Sequence, residues 1–208
     1  ITPIQFCEKY CQYVDEGYTD VIHVPINRSG SSTYNNAVMA QGMLREERPE
    51  HHLNIHLLDP HTYSMVFGWY LCEMARKLQN GAELRHVISE FETQMNKMEI
   101  ILGPYSLKQM KKSGRISAAA AVMGELMGIR PIITLIDGKT RVESKVRGDD
   151  KVIPAMIDLC KKRTEGVEDF DYMIGHTSIP QAAELEKACR KAFGKAPLTT
   201  FNLGGVVS

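Results

Sequence analysis

Long apolar runs, a surplus of one charge, tryptophan and recognisable catalytic signatures are what this 208-residue sequence has least of. No stretch reaches the roughly 18 consecutive apolar residues that a membrane span requires. No basic stretch followed by an apolar one opens the chain, so neither stable membrane insertion nor a secretory signal is expected, and a cytoplasmic location is. Lys plus Arg (25) balances Asp plus Glu (25), leaving no basic field to neutralise a run of phosphates, so nucleic acid is not an expected partner. The five cysteines, Cys7, Cys11, Cys72, Cys160 and Cys189, are odd in number and lie in helix-like stretches, which suits reduced thiols better than a disulfide framework. Cys7 and Cys11 are one helical turn apart, but no histidine or second cysteine pair accompanies them, and no metal site is expected. There is no phosphate loop of the Gly-Lys-Ser/Thr type, no Gly-x-Gly-x-x-Gly, no Gly-x-Ser-x-Gly and no His-Glu-x-x-His, which counts against an enzyme.

What is present is the composition of a chain with a packed core, 43% hydrophobic and 24% charged. The length suits one large domain or two small ones. An amphipathic helix is expected over Pro3 to Val14, then a short β-branched strand over Asp20 to Ile26 and a helix over Thr33 to Glu47. A second strand and helix follow, Leu53 to Leu58 and Tyr63 to Leu78, then a helix over Ala82 to Lys97. This alternation argues for a parallel sheet covered on both faces. Near residue 99 the grammar changes. Ile100 to Leu102 reads as a strand, Leu107 to Gly114 and Ala118 to Met127 as helices, and Ile132 to Val146 as a hairpin turning at Asp137-Gly138. A helix over Asp150 to Lys162, a strand over Tyr172 to Gly175, a helix over Ala182 to Phe193 and a strand over Leu198 to Leu203 complete the reading. The expected fold is α/β in two domains, residues 1–99 with a mainly parallel sheet and 100–208 with a mixed or antiparallel sheet and helices.

The chemistry-bearing segment is the polar run Asn27-Arg28-Ser29-Gly30-Ser31-Ser32-Thr33-Tyr34, after the carboxyl end of a strand and at the start of a helix. Unpaired amides and the positive helix end converge at such a place, so a carboxylate or phosphate can be held by Ser31 and its neighbours. Plain helix capping by Ser31, Ser32 and Thr33 is the competing reading. The seven histidines, His23, His51, His52, His56, His61, His86 and His176, show no ligand spacing and read as core or surface residues. Lys108 to Arg115, and the pair Lys145 and Arg147, are basic and could dock an acidic partner or simply form a solvated face. Among the eleven methionines, Met110, Met123 and Met127 could line an apolar pocket or belong to the core.

Val24-Pro25-Ile26-Asn27-Arg28-Ser29-Gly30-Ser31-Ser32-Thr33-Tyr34-Asn35-Asn36-Ala37 and Leu107-Lys108-Gln109-Met110-Lys111-Lys112-Ser113-Gly114-Arg115-Ile116-Ser117 together resemble the DegV family of bacterial fatty-acid-binding proteins. The family carries Ser-Gly-Thr-Tyr-Gln at the first place and Leu-x-x-Leu-x-x-Gly-Gly-Arg-Ile-Ser at the second. The resemblance continues in order through Asp59, Ser64-Met65 and Gly68, Arg130-Pro131-Ile132-Ile133, Asp137-Gly138-Lys139, Lys145-Val146-Arg147-Gly148 and Gly204-Gly205-Val206-Val207. It implies two α/β domains, the first Rossmann-like, enclosing one long-chain fatty acid in a tunnel between them. It implies a carrier in lipid transport or fatty acid metabolism, with no catalytic residue and no cofactor besides the bound acid. The serine that binds the carboxylate aligns with Ser31, and Ser32 and Thr33, which follow it, are expected to bind the carboxylate with it. Some members present the acid to a fatty acid kinase, for which Lys145 and Arg147 would be the docking segment.

The sequence has Ser32 where the family usually has glycine and Asn35 where it usually has glutamine. The family's opening Thr-Asp-Ser strand and Thr-Ser-Gln segment would lie upstream of Ile1, and its His-x-Gly-Pro-Gly segment beyond Ser208. Part of the head-group site is thus expected outside this sequence, and the protein is expected to be longer than the chain given. The reading from another class is a small kinase or phosphatase gripping phosphate with the Ser31 loop, Asp59 serving as acid or metal ligand. The lysine and carboxylate set that phosphoryl transfer needs is missing beside that loop.

Overall fold

A computed structural model describes residues 1–106, 128–177 and 179–204. The chain divides into two compact units, Ile1–Tyr63 with Phe67–Met98, and Ser64–Val66 with Glu99–Ser208.

The first unit opens with α1 (Pro3–Asp15). Thr2 caps it reciprocally: the Gln5 amide donates to Thr2 Oγ1 (3.3 Å) while the Thr2 amide donates to Gln5 Oε1 (2.9 Å). Strand β1 (Asp20–His23) and β2 (Asn54–Leu57) pair in parallel, Val21 opposite Ile55, with α2 (Thr33–Glu47) between them in sequence. Helices α3 (Met65–Gln79) and α4 (Leu84–Met95) follow. Successive strand residues face opposite sides. Val21 accordingly packs with Phe6, Cys7, Tyr10, Ala37, Ala40 and Leu44 of α1 and α2, and Ile22 with Leu58, Met74, Val87, Phe91 and Met95. Two apolar cores thus flank one small sheet, as alternation of strand and helix predicts.

The second unit contains β3 (Ile100–Leu102), β4 (Ile129–Ile136) and β5 (Lys139–Arg147), an antiparallel sheet in that order. Asp137 and Gly138 both have positive φ (49° and 70°), the geometry of a tight two-residue hairpin turn, so the Asp-Gly signal is realised. Ile132 pairs with Ser144 but Ile133 with Val142, so Glu143 is an extra residue at a bulge. It accepts from Thr134 Oγ1 (2.8 Å) and pairs with Arg163 (3.0 Å). A 3₁₀ turn (Asp149–Lys151) leads into α5 (Val152–Arg163); β6 (Ile174–His176) and β7 (Thr200–Asn202) form a parallel pair, with α6 (Gln181–Phe193) between them in sequence. The second unit therefore holds both antiparallel and parallel strands. The helices expected over Leu107 to Gly114 and Ala118 to Met127 lie outside the described residues, as do Met110, Met123, Met127 and the Lys108 to Arg115 segment.

Several elements are shorter than the sequence suggests. β1 ends at His23 instead of Ile26 because Pro25 has no amide to donate to a ladder. α3 begins at Met65 instead of Tyr63, since His61 and Ser64 have positive φ (54° and 66°) and cannot be helical. The helix expected from Asp150 starts at Val152, after the 3₁₀ turn.

At the end of β1 the Tyr10 hydroxyl lies 2.6 Å from His23 Nδ1, and Phe6 packs edge-on against the imidazole (4.8 Å between centroids). Burial holds the His23 pKa below its ordinary 6.5. The unfolded chain therefore takes up this proton at higher pH than the folded one. Stability from this group is complete above about pH 6.5, declines as pH falls below it, and levels off beneath the folded value. His23→Gln is expected to flatten that decline in urea titrations run from about pH 7.5 to about pH 5; an unaltered slope would assign it to other groups.

Candidate functional site

The site is built by two loops that leave the carboxyl ends of β1 and β2, where open α/β sheets place their ligands. Backbone and side chain tie the loops together. The Asn27 amide donates to the Thr62 carbonyl (3.2 Å), and Asp59 Oδ1 accepts from the amides of Arg28 (3.3 Å) and His61 (3.0 Å). Within the first loop Asn27 Oδ1 takes the Ser29 amide (2.6 Å) and the Asn27 carbonyl the Gly30 amide (3.1 Å). Gly30 is required by contact: a Cβ there would stand 1.6 Å from the Tyr63 hydroxyl. His61 and Ser64, two non-glycine residues with positive φ four positions or fewer apart, show that the second loop is held in a costly conformation by its surroundings.

Helix α2 starts at this junction. Ser31 Oγ lies 2.6 Å from Thr33 Oγ1 and accepts the Thr33 amide (3.2 Å), so Ser31 does part of the capping. Ser32 is the N-cap residue, yet its side chain makes no capping hydrogen bond. Among the described residues the amides of Tyr34 and Asn35, in the first turn, have no acceptor. Free amides at the positive end of a helix favour an anion.

Two further atoms in these loops call for a partner. Asn27 and Thr62 are 1% and 3% exposed, and Asn27 Nδ2 and Thr62 Oγ1 have no hydrogen bond among the described residues. Leaving such a group unsatisfied costs about 1–3 kcal/mol. With Oδ1 already accepting from Ser29, the Asn27 side chain can only donate through Nδ2, so its missing partner is an acceptor. Arg28 stacks over the Tyr34 ring (5.2 Å), and both line a cavity of about 360 Å³ with Asp59, His61, and Glu92 and Asn96 at the end of α4. The unpaired loop donors can hold an anionic group, whereas the cavity sets the carboxylates of Asp59 and Glu92 beside Arg28; Asp59, committed to two backbone amides through one oxygen, serves as a brace.

Sequence reasoning placed Ser31, Ser32 and Thr33 at a helix start, and they are found there. It did not single out Thr62, because nothing in one dimension marks a threonine as buried and unpaired. Lys145 and Arg147 are exposed on β5, which among the described residues is at one edge of its sheet, opposite Pro131 and Ile129. Of the histidines, His23 meets Tyr10, His51 takes the Leu53 amide and His56 pairs with Asp20. No helix among the described residues is long and apolar enough to cross a membrane.

Two compact units of helices and strands, with strand ends and a helix start meeting at one junction in the first, define an α/β protein. The chain belongs to the DegV family, whose model, described as that of an uncharacterised protein family, matches residues 1–208. It is 30% identical over 159 residues to a DegV domain-containing protein of Clostridium perfringens, covering 76% of this chain and 54% of that protein. The chain thus spans about half the length of that curated relative. Its fold resembles a fatty acid binding DegV family protein from Streptococcus agalactiae, with a TM-score of 0.83, 26% identity, and 99% of this chain and 71% of the other covered. It also resembles a stearic acid-binding protein from Eubacterium ventriosum, with a TM-score of 0.82, 20% identity, and 95% and 68% of the two chains covered.

Proposed function

We propose that this chain binds one long-chain fatty acid and carries it in the cytoplasm without reacting on it, the carboxylate lying at Ser31, Ser32 and Thr33. The observation that carries the reading is the pairing of an acceptor-seeking junction at α2 with DegV membership, in a fold shared with the Streptococcus agalactiae fatty-acid binder and the Eubacterium ventriosum stearic-acid binder. Ser31 Oγ, the free amides of Tyr34 and Asn35, Asn27 Nδ2 and Thr62 Oγ1 are the donors we assign to the carboxylate.

The energetics divide the labour. Each buried CH₂ contributes about 0.8 kcal/mol, so a chain of about sixteen carbons supplies on the order of 10 kcal/mol before the costs of binding. The tail supplies affinity. The carboxylate must be hydrogen-bonded once buried, or its desolvation reverses much of that gain, so the head group sets orientation and selectivity. As partner we propose a fatty acid kinase catalytic protein that phosphorylates the presented carboxyl group, docking at Lys145 and Arg147.

Native mass spectrometry of the full-length protein purified from bacteria, followed by denaturing extraction, tests the reading. One stoichiometric fatty acid is the expected result. An apo mass together with no uptake of added palmitate overturns it.

A further inference from the structure

We propose that Cys7, Cys11 and Glu47 form a binding site for a thiophilic divalent cation, zinc foremost, that ties α1 to α2. One ligand atom from each of the three lies within 4.8 Å of the others. Cys7 and Cys11 are four residues apart in α1 and so project from one face. That face packs on the side of α2 bearing Ala37, Ala40 and Leu44, and Glu47 follows Leu44 by three residues on the same side. The sequence alone showed two thiols without company; the third group arrives from 36 residues beyond Cys11.

Zinc bonds of about 2.0–2.3 Å in a tetrahedron set ligand atoms roughly 3.3–3.8 Å apart. Cys11 Sγ and Glu47 Oε2, at 3.6 Å, already stand at that separation. Small side-chain rotations bring the rest together. Two sulfurs and one carboxylate select zinc and its soft neighbours, and reject magnesium and calcium, which take oxygen sets. Cys7 is buried, Cys11 half-buried and Glu47 exposed, so the cation enters from the Glu47 side, where water completes the fourth position. Glu47 is also short of a cation. Among the described residues no lysine or arginine pairs with it, and its carboxylate, at the negative end of the α2 dipole, receives the Cys11 S–H. On binding, two S–H bonds give way to two S–metal bonds and both protons pass to solvent, leaving one net negative charge on the thiolates, carboxylate and Zn²⁺ together.

The test uses the full-length protein, reduced and stripped of metal, with cobalt(II) alone as the probe. One equivalent is expected to produce a thiolate-to-cobalt charge-transfer band that zinc abolishes, and zinc is expected to raise the thermal midpoint. Cys11→Ser and Glu47→Gln, near the surface and safe for folding, should each weaken binding by at least the roughly tenfold that loss of a mere outer-shell partner costs. Cys72→Ser, at an exposed thiol, should leave the band unchanged. No band at one equivalent, or a band that survives both Cys11→Ser and Glu47→Gln, overturns the proposal.

Discussion

Leu44→Ala is expected to destabilise the first unit by about 2–5 kcal/mol, the cost of a cavity in a core that cannot fully collapse. Leu44 is 1% exposed and sits where α1 and α2 meet, among Phe6, Cys7, Tyr10, Ala37 and Ala40. Both alanines are completely buried, which leaves the neighbourhood little side-chain volume with which to fill a void. Urea titration resolved by amide exchange on α1 and α2 measures the effect. A loss below about 1 kcal/mol would mean that the helix pair relaxes into the space and that this core is less tightly fixed than its burial indicates.

The second large effect concerns the ligand. Ser31→Ala is expected to weaken fatty acid binding by about 1–3 kcal/mol, roughly 5- to 150-fold in Kd, with little change in fold. Thr62→Val separates a binding role from a structural one, because its two consequences have opposite signs. Removing a buried hydroxyl that has no partner should raise the stability of the unliganded protein by about 1 kcal/mol. Removing a donor to the carboxylate should lower affinity by a similar amount. Calorimetric titration and thermal unfolding of the same variant give both numbers. Gain of stability without loss of affinity would strike Thr62 from the site, and unchanged affinity in Ser31→Ala would strike Ser31.

The sequence revealed the elements better than their ends, and the Ser31 loop better than its partners. α2 begins at Thr33 and β3 spans Ile100–Leu102 as read, because a polar capping run and a short isolated apolar run are local signals. β1 was read too long and α3 as starting too early, since Pro25 and the positive φ of His61 and Ser64 act through backbone geometry that apolar periodicity ignores. Ser31 was legible as part of the helix start for a similar reason: hydroxyls directly before a helix read as its capping run. Thr62 was not legible as its neighbour, and Asp59 entered only as an acid or metal ligand and not as a brace, because the bonds from Asn27 to Thr62 and from Arg28 to Asp59 join loops that are distant in sequence and meet only once β1 and β2 have paired. Glu47 meets Cys11 by the same kind of contact, made by helix packing alone.

The measurement that reaches the central claim most directly is carbon-13 NMR of carboxyl-labelled palmitate titrated into the full-length protein and its Ser31→Ala variant. The account predicts one saturable bound carboxyl resonance whose position resists acidification, as a hydrogen-bonded carboxylate should, and which moves in Ser31→Ala. A bound resonance that titrates like the free acid and is identical in both proteins would contradict it.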